Sequence, residues 1–333
     1  MLAALVVSAP VVAGAQPHRG RPGRPGAIQP FSPQVEATLR QCEALFDRSR
    51  FAEAVTAIDA LPPRARALPR VRALRAASRI GALVPAVEPD GWRALPPATQ
   101  RELSALEPAL SAATEDPRAS LSLGRLHLLR ARLDDARAAL ERSTRLRPED
   151  PVAWNDLAMV LVTQHHLPEA ERALVEATRR APSDPEPFDN LGAVRLAQGR
   201  ARESLEAFER AVEIDPRSPR FLSDLGSAQL SAGRIPEAVG TLQRAVALDP
   251  SSSVVAANLG YALSLANRSD EAVRVLTHAT ELDPRNLTAL NNLGLVHLRR
   301  GERALARRCF ERALTADATD PRARANLDAM GAD

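Results

Sequence analysis

The chain repeats itself at an interval of thirty-four residues. Asn291–Gly301 reads NNLGLVHLRRG; one interval earlier stands ANLGYALSLAN, and one before that SDLGSAQLSAG. Six consecutive windows fit without an insertion: 117–150, 151–184, 185–218, 219–252, 253–286 and 287–320. Their eighth position is Gly124, Ala158, Gly192, Gly226, Gly260 and Gly294. The twentieth is Ala136, Ala170, Ser204, Ala238, Ala272 and Ala306, and the twenty-seventh is Ser143, Ala177, Ala211, Ala245, Ala279 and Ala313. Leu or Phe fills the seventh and twenty-fourth, from Leu123 and Leu140 to Leu293 and Phe310. Positions 4, 7, 8 and 11 share one helical face, and 20, 24 and 27 share another. Each window therefore predicts two helices that approach through small residues, with large residues filling the gaps.

The punctuation agrees. Asp150-Pro151, Asp184-Pro185 and Ser218-Pro219 place a cap residue before a proline at the first helical position. Gly199, Gly233 and Gly301, with Asn267, stand where the first helix must turn in the left-handed conformation. Pro148, Pro182, Pro216, Pro250 and Pro284 end the second helices, with Ala318 in the last window.

Composition narrows the fold class. Hydrophobic residues make up 45% of the chain and aromatics 3%, so a large core must be Leu, Val and Ala. Ala is abundant and no run alternates β-branched with polar residues, so the chain reads as all-α. All 44 basic residues are Arg, a bias of the kind a GC-rich genome imposes. Arg19, Arg21 and Arg24 account for the net charge of +3, which leaves the body from Phe31 onward neutral. Such a body is a poor polyanion binder, so nucleic acid is not an expected partner. Cys42 and Cys309 lie far apart and outside any paired-cysteine motif, and read as buried single thiols.

The period, the small residues at 8, 20 and 27 and the proline at 32 resemble the tetratricopeptide repeat family. The large aromatic that the family carries at position 4 survives here as Trp154 and Phe188. The family's position 11 aromatic is His127, Leu161, Arg195, Gln229, Leu263 and His297. The resemblance implies a right-handed α-solenoid of helix-turn-helix repeats working as a binding scaffold, not an enzyme. No cofactor or metal is implied.

Solenoid ends need covers. Residues 321–333 read as a C-terminal capping helix. Residues 31–116 read as a helical region with a degenerate repeat, in which Ala54 takes the twentieth position, and an N-terminal cap. Residues 69–82 are expected to be helical, 84–97 to break, and 98–113 to form a half repeat kinked at Pro108. Residues 1–15 form an uncharged apolar run ending Ala13-Gly14-Ala15, which reads as a signal peptide cleaved before Gln16, and 16–30 as a flexible linker. That predicts a periplasmic or secreted protein, cytoplasmic if the run is not cleaved, with no transmembrane segment in the mature chain. Cell-envelope assembly is the setting this favours; an accessory subunit of an enzyme or secretion complex is the alternative.

No nucleotide-binding, metalloprotease or hydrolase motif is present. His165-His166 falls in a helix–helix turn without a third metal ligand nearby, and His127 and His297 read as packing residues. Glu206 with Arg210 reads as an i,i+4 support. The resemblance places ligand contacts at positions 2, 5, 6, 9, 12 and 13 of the first helices, on the concave face. Position 6 is Ser122, Asp156, Asn190, Asp224, Asn258 and Asn292, and Asn326 continues the row. In superhelical members of the family such asparagines hold a peptide backbone. The candidate groove residues are therefore Asn155, Asp156, Asp189, Asn190, Asp224, Asn258, Tyr261, Asn291, Asn292 and Arg299. Asn258 and Asn292 are expected to project alike into the groove, free of the core. A protein or peptide partner is implied; the lysine clamp that some members use for carboxylates is absent, and Arg118, Arg125 and Arg299 are loose substitutes.

Overall fold

The computed structural model describes residues 33–83 and 91–331. The apolar run and the Pro/Gly/Arg segment at 1–30 lie outside the described residues. Within them are eighteen α-helices, one 3-10 turn (Gly91–Ala94) and no strand.

The six windows hold six helix pairs: α6 and α7 (Pro117–Leu129, Leu133–Leu146), α8 and α9 (Pro151–Thr163, Leu167–Arg180), α10 and α11 (Pro185–Ala197, Ala201–Ile214), α12 and α13 (Pro219–Ser231, Ile235–Leu248), α14 and α15 (Ser253–Leu265, Ser269–Leu282), α16 and α17 (Leu287–Arg299, Arg303–Ala316). A single helix, α18 (Pro321–Met330), covers the end. Every pair packs on the next. First helices of successive pairs also touch each other, while second helices make no comparable contact. The first helices therefore run at the smaller radius and form the inner wall of the solenoid.

Each first helix begins at a side-chain cap. Asp116, Asp150, Asp184, Ser218, Ser252 and Asn286 each accept a backbone N–H from the first turn. The turn into the second helix is left-handed at Gly199, Gly233 and Gly301, with φ of 75–77°, and at Asn267. Ala131 and His165 adopt the same conformation at that position, with φ of 56° and 61°. A tightly packed pair thus imposes the turn even where the residue carries a Cβ. Helix α17 stops at Ala316 although Ala318 replaces the proline. Asp317 supplies the stop, since its Oδ1 accepts Thr319 N–H at 2.8 Å, as Asp215, Asp249 and Asp283 do for the residues two further on.

The eighth position sets the distance between the helices of a pair. A Cβ on Gly226 would lie 2.5 Å from Leu242 Cγ, and one on Gly260 2.4 Å from Leu276 Cγ. Phe208 and Phe310 fill the same space against Gly192 and Gly294. Cys42 and Cys309 are free and buried, and burial pushes both thiols up.

Upstream, the paired arrangement continues further than a single degenerate repeat and a half repeat. Helices α1 (Pro33–Asp47) and α2 (Phe51–Asp59) form a first pair, turning at Ser49 with φ of 57°. After the short α3 (Pro63–Arg66), α4 (Pro69–Leu83) packs on α2 and pairs with α5 (Pro97–Ser111). Residues 98–113 are thus the second half of a whole pair whose first helix is α4. The pairing is hidden because Pro69 and Pro117 stand forty-eight residues apart, against thirty-four between later first helices. The extra residues lie between α4 and α5. Pro108 sits in the last turn of α5, which runs through it as one helix and loses a single intrahelical bond there.

Asp47, at the end of α1, accepts hydrogen bonds from Arg118 on α6 at 2.7–2.9 Å and from Arg147 after α7 at 2.9–3.3 Å. The first pair is thereby tied to the third. One continuous apolar core runs from Leu39 on α1 to Ala207 on α11, whereas the remaining C-terminal half divides into three smaller cores.

Candidate binding groove

Along the inner wall, positions 5 and 6 do not act alone. The side chain at position 6 of one first helix meets position 5 of the preceding one, thirty-five residues earlier. Asn190 donates through Nδ2 to Asn155 Oδ1 at 2.8 Å, and Asn258 through Nδ2 to Ser223 Oγ at 3.0 Å. These asparagines cross-link neighbouring repeats. Asn258 is therefore a structural strut, which corrects the expectation that its amide stands clear of the fold. Asn155 is its counterpart as an acceptor. At the first junction position 5 is Leu121, and Asp156 turns instead to Arg125, whose Nε donates to its Oδ2 at 2.5 Å.

Between the third and fourth repeats the same offset brings two carboxyls together, Asp189 and Asp224. Asp189 is 4% exposed and its Oδ1 has no hydrogen-bond partner. Burial and the neighbouring Asp224 charge push it up to about 7, against a weaker pull from Arg220, whose Nη1 is 3.5 Å away. Burial also raises Asp224. Arg220 is shared with Glu186, to which its Nη2 donates at 2.5 Å.

The last junction differs. Position 5 before Asn292 is Ala257, which offers no polar atom, and Asn292 makes no side-chain hydrogen bond to the described chain. Its neighbour Asn291 is buried, donating to Leu287 O at 2.9 Å and to Asp320 Oδ2 at 2.6 Å. Asn291 thus holds the end cap through the N-cap residue of α18, and does not face the groove. Asn292 opens onto a cleft of about 510 Å³ lined by Tyr261, Ser264, Leu265, Leu295, Leu298 and Arg299. Arg299 donates to Ser264 O at 3.3 Å and has no acidic partner among the described residues.

Large apolar side chains stand exposed along this wall: Val254 at 62%, Tyr261 at 41% and Leu295 at 37%. Tyr261 is the one tyrosine in the chain. Arg118 and Arg125, the other two substitutes for a clamp, are committed to Asp47 and Asp156. His165 holds the left-handed turn, and His166 stands at the N-cap position of α9 without a side-chain capping bond. His127 and His297 are buried, and His297 Nδ1 meets Glu302 at 2.5 Å. Arg210 pairs with Glu213 at 2.9 Å, not with Glu206, and lies over the Phe188 ring. Among the described residues no group of three or more His, Cys, Asp or Glu is placed to hold a metal ion, and no helix is long and apolar enough to cross a membrane.

The residues around the cleft that the sequence did not point to are Ser264 and the apolar Leu265, Leu295 and Leu298. The signal for the three leucines was present as an apolar residue at position 9 or 12–13 in two consecutive windows.

Two models of protein families match the sequence. The cilia and flagella-associated protein 70 C-terminal domain matches residues 97–283, more than half of the chain, and the tetratricopeptide repeat matches residues 258–321. No curated protein matches the sequence. Among solved structures, the APC/C hetero-tetramer Cut9–Hcn1 is similar at a TM-score of 0.61 and 19% identity, over 87% of this chain and 55% of that one, so this chain spans about half its length. Pseudomonas aeruginosa PilF is similar at a TM-score of 0.54 and 17% identity, over 64% of this chain and 97% of that one. At these identities the likeness is one of fold.

Proposed function

The chain belongs to the tetratricopeptide repeat family, and on that footing we propose that it is a protein-interaction scaffold whose inner wall holds an extended segment of a partner protein. The observation that carries this is the row of exposed apolar side chains on first helices, Val152, Val254, Tyr261 and Leu295, of which Tyr261 and Leu295 line one cleft; the other exposed large apolar residues, Leu146, Leu248, Leu282 and Leu305, are scattered singly over second helices. Apolar groups gathered on one concave wall and flanked by unused polar atoms are the usual mark of a protein contact. An extended segment suits a groove whose chemistry changes from one repeat to the next. The apolar run ending at Ala15 adds the proposal that the chain is exported and acts in the cell envelope; N-terminal sequencing of the native protein then starts at Gln16, and an intact Met1 sinks that part alone.

The test of the groove is amide hydrogen exchange with a peptide selected from phage-displayed random dodecamers. Protection along α8, α10, α12, α14 and α16 supports the reading. Protection confined to the second helices overturns it.

A further inference from the structure

The inner wall is chemically graded. Through the middle, positions 2, 5 and 6 supply Asp156, Glu186, Asp189 and Asp224 against Arg220. Over the last two repeats the inner positions 2, 5, 6, 9, 12 and 13 carry a single charge, Arg299, among Val254, Tyr261, Leu265, Leu295 and Leu298. The cations of the middle are answered internally: Arg125 by Asp156 and Arg220 by Glu186, while Asp189 is buried and Asp224 is half-buried beside it. Arg299 has only one long bond to a carbonyl, and Asn292 has lost the cross-repeat partner that Asn190 and Asn258 possess. The unspent cationic chemistry of the groove is therefore concentrated in the 510 Å³ cleft around these residues.

We infer that this cleft reads an acidic side chain together with an apolar one on an extended partner segment. The inference rests on the groove reading above and names the chemistry of its ligand. A guanidinium without a carboxylate partner is the complement of an acid, and its planar fork can take both oxygens. Tyr261, Leu295 and Leu298 form an apolar shelf beside it, suited to an aliphatic side chain such as Leu or Met. Asn292 has both donors and both acceptor sites of its amide free, which suits the backbone N–H and C=O between the two side chains. In an extended segment, side chains two residues apart point the same way. The sequence that fits is thus apolar-x-acid. The groove passes the cleft on both sides, with α12 before it and α18 after, so the acid is a side chain within the segment and not the end of a chain.

The test uses the full chain, labelled with a fluorophore, on an array of amidated decapeptides of Ser and Gly carrying Leu-x-Glu, Leu-x-Gln, Leu-x-Lys or Ser-x-Glu. A fifth set ends in Leu with a free carboxylate. Leu-x-Glu should bind about tenfold or more tightly than Leu-x-Gln, as a charge-assisted pair does. Arg299→Gln should erase that difference, and added salt should shrink it. Tyr261→Ser should weaken Leu-x-Glu and leave Ser-x-Glu unchanged. Both residues are exposed or half-exposed, so melting curves should match the wild type and report that the variants fold. A preference for Leu-x-Lys that Asp224→Asn removes would overturn this inference and keep the groove. So would a preference for the free terminal carboxylate, or a Glu/Gln difference that survives Arg299→Gln. Binding to no peptide at all would overturn the inference and the groove reading together.

Discussion

Asn258 and Asn292 occupy the same position one repeat apart, and they have opposite fates. At the junction of the fourth and fifth repeats Asn258 is spent on Ser223 Oγ. At the junction of the fifth and sixth, Asn292 faces Ala257 and keeps its amide. The helices beneath are alike: Leu276 lies over Gly260 and Phe310 over Gly294 with the same closeness. Whether a groove asparagine serves the fold or a ligand is thus decided by the residue thirty-five positions earlier, not by the asparagine.

The comparison presumes that the packing frame beneath each junction is the same, and Gly226→Leu is the harshest way to break it. Its Cβ alone would stand 2.5 Å from Leu242 Cγ, so overpacking should cost about 3 kcal/mol, read as a drop in the urea midpoint. An unchanged midpoint would show that the eighth position does not set the helix spacing.

The carboxyl pair is the next largest effect. Asp189 is raised from 3.8 to about 7 in the fold, so the folded chain holds a proton there that the unfolded chain releases near pH 4. The associated stability is complete at low pH and is lost as pH rises through 7. Asp189→Asn restores the amide chemistry of the neighbouring junctions and should stabilise the protein at pH 8 by on the order of 2 kcal/mol. It should also flatten the melting temperature between pH 5 and 8; a variant whose melting temperature tracks the wild type across that range would deny the pair its role.

Asn258→Ala removes a strut and leaves Ser223 unpaired, for a cost of about 1 kcal/mol. Asn292→Ala removes nothing internal, and the expected change lies within about 0.5 kcal/mol. Equal losses in the two variants, measured by the same denaturant titration, would erase the distinction between the junctions. Ala257→Ser sharpens it from the other side: by offering Asn292 a hydroxyl, it should draw the amide back into the fold and weaken any groove ligand severalfold, measured by calorimetry with the best array peptide.

Much of this was legible from residues. The paired helices follow from small residues at fixed intervals, because two helices can approach only where Cβ atoms are absent or minimal. Position 6 was legible as an inner row. Its partners were not, because a thirty-five-residue offset crosses from one repeat to the next, while the eye compares like with like at thirty-four. Written at the longer offset, Asn155/Asn190, Ser223/Asn258 and Ala257/Asn292 separate at once. The pairing of α4 with α5 was illegible for a different reason: the added residues between them destroy the period, although Pro69 stands thirty-six residues after Pro33 at the start of α1, close to one interval. Asp317 shows the reverse case, where the expected proline is missing and an aspartate two residues before the bonded N–H does its work.

The tie at Asp47 changes how the array should come apart. Stacked repeats that touch only their neighbours melt like beads on a string, each lost at its own cost. Asp47 reaches over the second pair to Arg118 and Arg147 in the third, closing loops of seventy-one and one hundred residues, and the core beneath is undivided as far as Ala207. The N-terminal half then behaves as a single thermodynamic block. The C-terminal half, with its separate cores, can fray repeat by repeat from α18 inward, so that the end bearing Arg299 is also the end most able to breathe around a guest.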